Sequence, residues 1–361
     1  MTIDNYSIKI KHEVEAFSPC LVRFFTGKYN LLHFLQLLYT CSPLRMIMKR
    51  IFLLIILLCT CTNIVRAQYD AQFSQYFRAM GYYNPAYAGT TEDLNLFSIY
   101  RQQWLGIHGA PGSFFVYGDM PLTLGKTNHG VGLLIFTESV GLFQNTHVSG
   151  QYAYKRKLFG GTISAGIQFG IVNQSFDGTN VYIPESNFHQ QIDGAIPTTK
   201  SQAMALDMNF GLYYTHKHFY VGLGASHLTE PELQLEENSY VFIGRTFNLT
   251  GGYNIQLKNP LYELQPSVFL LTNFQSYHTD ITARLVYNKM FNGGFSWRIN
   301  ESVALLLGAT IGRFDVGYAY DFPTTILGKA TSGSHEVMVK YRLKLNKTKT
   351  GKNKHKSVRI L

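Results

Sequence analysis

Residues 203–214 read AMALDMNFGLYY, and this stretch decides the fold. Met204, Leu206, Met208, Phe210, Leu212 and Tyr214 fall on one side of an alternating pattern; Ala203, Ala205, Asp207, Asn209, Gly211 and Tyr213 fall on the other. Successive side chains leave opposite faces of a pleated strand, so strict period-2 alternation predicts a strand. The same texture recurs down the chain. In 162–171, Ile163, Ala165, Ile167, Phe169 and Ile171 oppose Thr162, Ser164, Gly166, Gln168 and Gly170. In 314–322, Phe314, Val316, Tyr318, Tyr320 and Phe322 share a side, and Val337, Val339, Tyr341, Leu343 and Leu345 do so near the end.

A soluble sandwich also alternates, but its wet face is normally charged. Here the polar faces are rich in Gly, Ser, Asn and Thr, and charged residues make up only 15% of the chain against 14% aromatics. Small polar residues suit a barrel interior, and aromatic rings near strand ends suit a bilayer interface. A mean hydropathy of −0.04 is too low for a bundle of transmembrane helices. The reading is an all-β transmembrane antiparallel barrel of about 14 strands with a short N-terminal plug. The strands fall near 94–105, 113–120, 129–138, 145–154, 161–176, 202–214, 219–227, 245–257, 262–273, 279–288, 291–299, 302–311, 313–322 and 335–345. With both termini periplasmic, the longest connections (177–201, 228–244 and 323–334) all face outward, and the intervening ones are short.

Charge and cysteine divide the chain. Residues 1–67 hold 8 Lys/Arg and 3 Asp/Glu, and 340–361 hold 9 Lys/Arg and no acid, which leaves a net charge of −4 between them. The overall +10 is thus a property of the ends and predicts no nucleic-acid partner. Cys20, Cys41, Cys59 and Cys61 all precede residue 68, so the rest can carry no disulfide framework or thiolate metal site. Met48-Lys49-Arg50, the apolar run Ile51–Cys59 and Ala67 have the order of a secretory signal. The domain reading is an upstream extension at 1–47, a signal peptide at 48–67, a periplasmic or plug segment at 68–93, the barrel at 94–345 and a basic tail at 346–361.

The segment ahead of the barrel carries a resemblance. Gln72, Phe73, Ser74, Gln75, Tyr76 and Phe77 are followed by Asn84-Pro85-Ala86-Tyr87-Ala88-Gly89, then by Arg101-Gln102-Gln103-Trp104. Gly333-Ser334-His335-Glu336 opens the last strand. These motifs, in this order, resemble the PorP/SprF family of outer-membrane proteins of the type IX secretion system of Bacteroidetes. The resemblance implies an outer-membrane barrel, without cofactor, that works with secretion or gliding machinery and binds or tethers a secreted surface protein. Its partners would be outer-membrane lipid, that secreted protein and other secretion components.

Chemistry leaves few traces. There is no Gly-x-Ser-x-Gly elbow, His-Glu-x-x-His helix or P-loop. His216 and His218 share a face but lack further ligands, and a polar turn explains them better than a metal. Asp207, Arg284, Arg298, Arg313 and Asp315 lie on polar faces and fit a lumen ion-pair network holding a plug better than a catalytic cluster. The chain reads as a non-enzyme. Candidate partner-binding residues are Tyr182 and Phe188 in 177–201 and Tyr240 and Phe242 in 228–244, because exposed loop aromatics have no core to fill. The competing function is a channel or transporter for hydrophobic or small solutes. Arg is expected to be costly at Leu206 or Phe210 and much milder at Asn209.

Overall fold

A computed structural model describes residues 70–181, 197–237 and 239–345. The proposed upstream extension, signal peptide and basic tail lie outside the described residues, as do Tyr182 and Phe188. Seventeen strands follow in order: β1 (Asp93–Gln102), β2 (Gly112–Leu124), β3 (Thr127–Val140), β4 (Phe143–Leu158), β5 (Gly161–Asp177), β6 (Lys200–Thr215), β7 (Phe219–Ser226), β8 (Glu232–Glu236), β9 (Ser239–Phe242), β10 (Thr246–Tyr253), β11 (Ile255–Gln256), β12 (Tyr262–Thr272), β13 (Tyr277–Tyr287), β14 (Phe291–Arg298), β15 (Ser302–Ile311), β16 (Phe314–Pro323) and β17 (Ser334–Lys344). Each barrel strand pairs antiparallel with its neighbours, β10 pairs with β12, and β1 closes on β17. The result is a closed fourteen-strand barrel.

Three details depart from the sequence reading. The strand expected at 245–257 breaks at Asn254, whose N–H donates to His218 O at 2.7 Å, and resumes as the two-residue β11. The connection 228–244 holds its own hairpin, β8–β9, outside the barrel sheet. Its Glu-Leu-Gln-Leu-Glu alternation buries Leu233 and Leu235, a signal too short to stand out among ten-residue strands. The third departure concerns where the plug starts. The barrel strands begin and end at the short-turn end, but the chain before β1 threads the lumen. Asp70 bonds Thr246 and His227 at the long-loop end, while Leu345 follows β17 at the other. The described chain therefore starts at the long-loop mouth and runs down the lumen to the end where β1 begins.

The wall turns its apolar side outward. Ile163, Ile167, Phe169, Ile171, Leu206, Phe210, Val337 and Val339 are exposed, whereas Gln168, Asp207, Asn209, Glu336 and Met338 between them are buried. Tyr154, Tyr253, Tyr287, Phe291 and Phe314 ring the short-turn end, and Tyr100, Phe114, Tyr277, Trp297 and Phe322 ring the other. Paired aromatic girdles flanking an apolar band are the mark of a barrel in a bilayer. No helix among the described residues is long and apolar enough to cross a membrane; the strands do so, because closure satisfies every ladder group without an edge.

Leu206, 74% exposed on the lipid side, gives a direct test. Leu206→Arg should cost ~2–4 kcal/mol if it lies near the midplane, read as loss of the heat-modifiable folded band on a denaturing gel. Asn209 is not the open lumen position behind the much milder effect expected there. Asn209 is 6% exposed and its Oδ1 accepts the His227 N–H at 2.8 Å. Asn209→Arg should therefore overpack a filled lumen at a cost of ~1–3 kcal/mol. Normal insertion of the Leu206 variant would mean that the faces are misassigned.

Candidate functional site

The lumen is occupied by the segment that precedes β1. Phe73, Tyr76, Met80, Tyr83 and Ala86 form one apolar cluster with Phe97, Phe115, Phe136 and Phe269 of the wall. Inward side chains from all fourteen barrel strands are buried, among them Arg101, Phe115, Leu134, Gln151, Gln168, Asn209, Ser226, Asn248, Phe269, Thr282, Ser296, Leu306, Ala319 and Glu336. The interior polarity read as lumen is thus the polarity of a packed contact. Fully burying rings such as Phe73 contributes roughly 1.5–3 kcal/mol each.

The motif residues build this plug. Between Ser74 and Arg78 the chain turns, followed by one helical turn, α1 (Met80–Tyr83), and a 3₁₀ turn at Pro85–Tyr87. Asn84 caps that turn by accepting from Ala86 N–H at 2.9 Å, and Pro85 starts it with its φ already set. The Asn84 amide donates to the carbonyls of Leu212 and Leu223, each at 3.0 Å, so it grips two adjacent strands. Gly89 sits at φ +62°, and a Cβ there would stand 2.7 Å from Gly130 Cα; its N–H donates to Asp119 Oδ2 at 2.7 Å. Only glycine fits such a conformation pressed against a strand. Tyr87 packs edge-on against Tyr213, Ala88 is buried, and Gln72 is part-exposed at the start of the turn.

Charge fixes the upper half. Glu336 Oε2 accepts the Ser74 N–H and Oε1 the Gln75 N–H, both at 2.8 Å. Arg101 donates through Nη1 to Glu336 at 3.1 Å and to Ser74 Oγ at 2.9 Å, and through Nη2 to Asp321 at 2.6 Å. Arg298 continues the network, donating to Asp280 at 2.9 Å and lying 3.8 Å from Asp321. Of the lumen charges singled out in the sequence, Arg298 belongs here. Asp207 meets His227; Arg284 lies 3.6 Å over the Phe77 ring. Asp315 pairs with Arg342, and Arg313 sits exposed in the β15–β16 turn, outside the network. The sequence reading missed Glu336 as the hub. Its partner Arg101 is directly opposite in the β1–β17 register, which only closure reveals.

A second contact ties down the start of the plug. His227 Nε2 is 2.8 Å from Asp70 Oδ1 and Nδ1 is 2.8 Å from Asp207 Oδ2. Burial alone would depress this imidazole, but Asp70 and Asp207 outweigh it and push it up to about 10. Asp70 is likewise held low despite its burial, chiefly by the charge of His227. With a carboxylate beside each ring nitrogen, His227 holds Asp70 of the plug next to Asp207 of the wall. This is a clasp.

At the long-loop end, Trp104 N–H donates to Ser334 Oγ at 3.1 Å and Leu105 N–H to Gly333 O at 2.8 Å. The two motifs that open and close the barrel therefore meet there. Tyr240 is exposed on β9, its hydroxyl donating to Glu237 O at 3.1 Å, and Phe242 is half-buried. His216 and His218 stand with ring centroids 5.7 Å apart beside Phe219. Among the described residues no group of three or more His, Cys, Asp or Glu is arranged to hold a metal.

The model of the type IX secretion system membrane protein PorP/SprF family matches residues 65–341. The chain belongs to this family. As a PorP/SprF barrel it is an outer-membrane protein of the type IX secretion system. A search for curated relatives returns no significant match. Solved structures similar to this PorP/SprF chain include the Ralstonia pickettii toluene transporter TbuX, at 12% identity and a TM-score of 0.44, covering 74% of this chain and 94% of that one. The Acinetobacter baumannii outer membrane protein Omp33 matches at 7% identity and 0.41, over 70% and 98%. A Pseudomonas aeruginosa FadL homologue matches at 10% and 0.44, over 72% and 92%.

Proposed function

We propose that this PorP/SprF barrel is a closed, non-enzymatic component of the secretion machinery that holds a secreted surface protein at its long-loop end. In this reading the short-turn end faces the periplasm and the long loops face the cell exterior. The observation that carries it is the filled lumen: inward side chains of every barrel strand are buried against one another or the plug. A barrel without an open path offers surfaces rather than passage. Tyr240 and Phe242 on the β8–β9 hairpin, with Tyr182 and Phe188 in 177–201, are the proposed anchors. Aromatic side chains supply large contact area for little lost rotamer freedom.

Two variants test the reading: one shortens 177–201, and the other replaces Tyr240 and Phe242 by Ser. Both should insert as heat-modifiable barrels while a surface protein moves from the cell envelope into the medium. Unchanged surface proteins with normal insertion would sink the tethering role. Altered uptake or conductance with surface proteins still attached would favour a transporter.

A further inference from the structure

Charge is sorted between the two ends of the barrel. Six turns join strands at the short-turn end: 125–126, 159–160, 216–218, 257–261, 288–290 and 312–313. Five of them carry one Lys or Arg, namely Lys126, Lys217, Lys258, Lys289 and Arg313, and the sixth is preceded by Arg156 and Lys157 at the end of β4. All seven side chains are exposed, and no turn contains an Asp or Glu. Among the described residues none of the seven forms an ion pair, whereas exposed Lys200 and Arg245 at the other end both do. At that long-loop end Glu230, Glu232, Glu236, Glu237 and Glu301 outnumber Lys200, Arg245 and Lys329.

We propose that the short-turn end is a collar for anionic glycerophospholipid headgroups, of the phosphatidylglycerol type. Three features select this occupant. The cations lie just beyond the aromatic girdle, at the depth of the headgroup phosphates. Phe159, 87% exposed in the one turn without its own cation, is placed to enter the interface beside them. The charges are also spread around the circumference, with at least one in or beside each of the six turns. A docking protein reads a patch, whereas a planar lipid layer meets the whole ring at once. Each unpaired Lys or Arg near an anionic surface adds attraction that falls off within a Debye length. The choice of glycerophospholipid over lipopolysaccharide phosphate rests on the periplasmic orientation proposed above; the charge complementarity does not.

The test uses the full chain refolded into nanodiscs of phosphatidylcholine mixed with phosphatidylglycerol, with retained lipid counted by native mass spectrometry. Phosphatidylglycerol should be enriched on the order of 3–10-fold over phosphatidylcholine, and less so as salt rises. A variant with Lys126, Arg156, Lys157, Lys217, Lys258, Lys289 and Arg313 all replaced by Gln should stay heat-modifiable and lose the enrichment. No enrichment in the wild type, or equal enrichment in the variant, overturns the collar. Displacement of phosphatidylglycerol by lipid A from the same variant-sensitive sites overturns the choice of lipid. A variant that keeps its lipid preference but loses a co-purifying periplasmic protein overturns it in favour of a protein surface. Maleimide labelling of Lys217→Cys in intact cells tests the orientation separately.

Discussion

Glu336→Ala should loosen the plug and open the barrel. Glu336 is fully buried, and its carboxylate accepts two backbone N–H groups of the plug, from Ser74 and Gln75, together with the Arg101 guanidinium. Removing it strands two buried N–H donors and half-uncovers a buried cation. Breaking one side of a buried pair costs ~3–5 kcal/mol, because the remaining charge keeps its desolvation penalty. Each orphaned amide adds roughly 1–3 kcal/mol. The Arg101–Asp321 contact at 2.6 Å survives, so the wall should stay closed while the plug is released. The variant should unfold at a lower temperature on heat-modifiability gels, expose 70–92 to protease and conduct ions in planar bilayers. Glu336→Gln retains the shape and one acceptor oxygen and should fall between. Wild-type protease resistance and no conductance in the Ala variant would show that the plug is held elsewhere.

Gly130→Val attacks the same plug from the opposite end. A Cβ at Gly130 would stand 1.9 Å from the carbonyl oxygen and 2.5 Å from the carbonyl carbon of Ala88, both backbone atoms. The plug cannot yield there, since Gly89 is fixed at φ +62° and its N–H is bonded to Asp119. Valine is itself a good strand former, so β3 should tolerate the change and the plug should leave. Proteolysis near Asn84–Gly89 and a gain of conductance are the expected results. Gly150→Val is the matched control. Gly150 lies on the outward side of β4 with nothing within 4 Å of the built Cβ, and the change there should be silent. If Gly130→Val is equally silent, the contact between the NPAYAG segment and the wall does not hold the plug.

Much of this was legible in the chain. The alternation around Leu206 and Phe210 identifies the lipid face, because a period of two places every second residue on one side wherever the strand lies. Fourteen such segments, with alternately long and short connections, specify the barrel. The Gln72–Phe77 and Asn84–Gly89 motifs mark the family and the plug, yet they do not show what the plug touches. The β8–β9 hairpin was lost among longer strands, and the bonding of Asp70 to His227 across 157 residues has no local signature.

The sequence by itself determined the strands, their faces and the family, since these depend on neighbours along the chain. The tertiary structure alone decided that the lumen is filled and where its charges pair. Arg101 and Glu336 are 235 residues apart and become opposite only when β1 closes on β17. Asn209 looks like a wet lumen position in the sequence and becomes a buried one when 70–92 folds into the barrel. The physical reason is that alternation reports only which side a residue faces. Whether that side meets water or protein depends on what fills the space enclosed by closure.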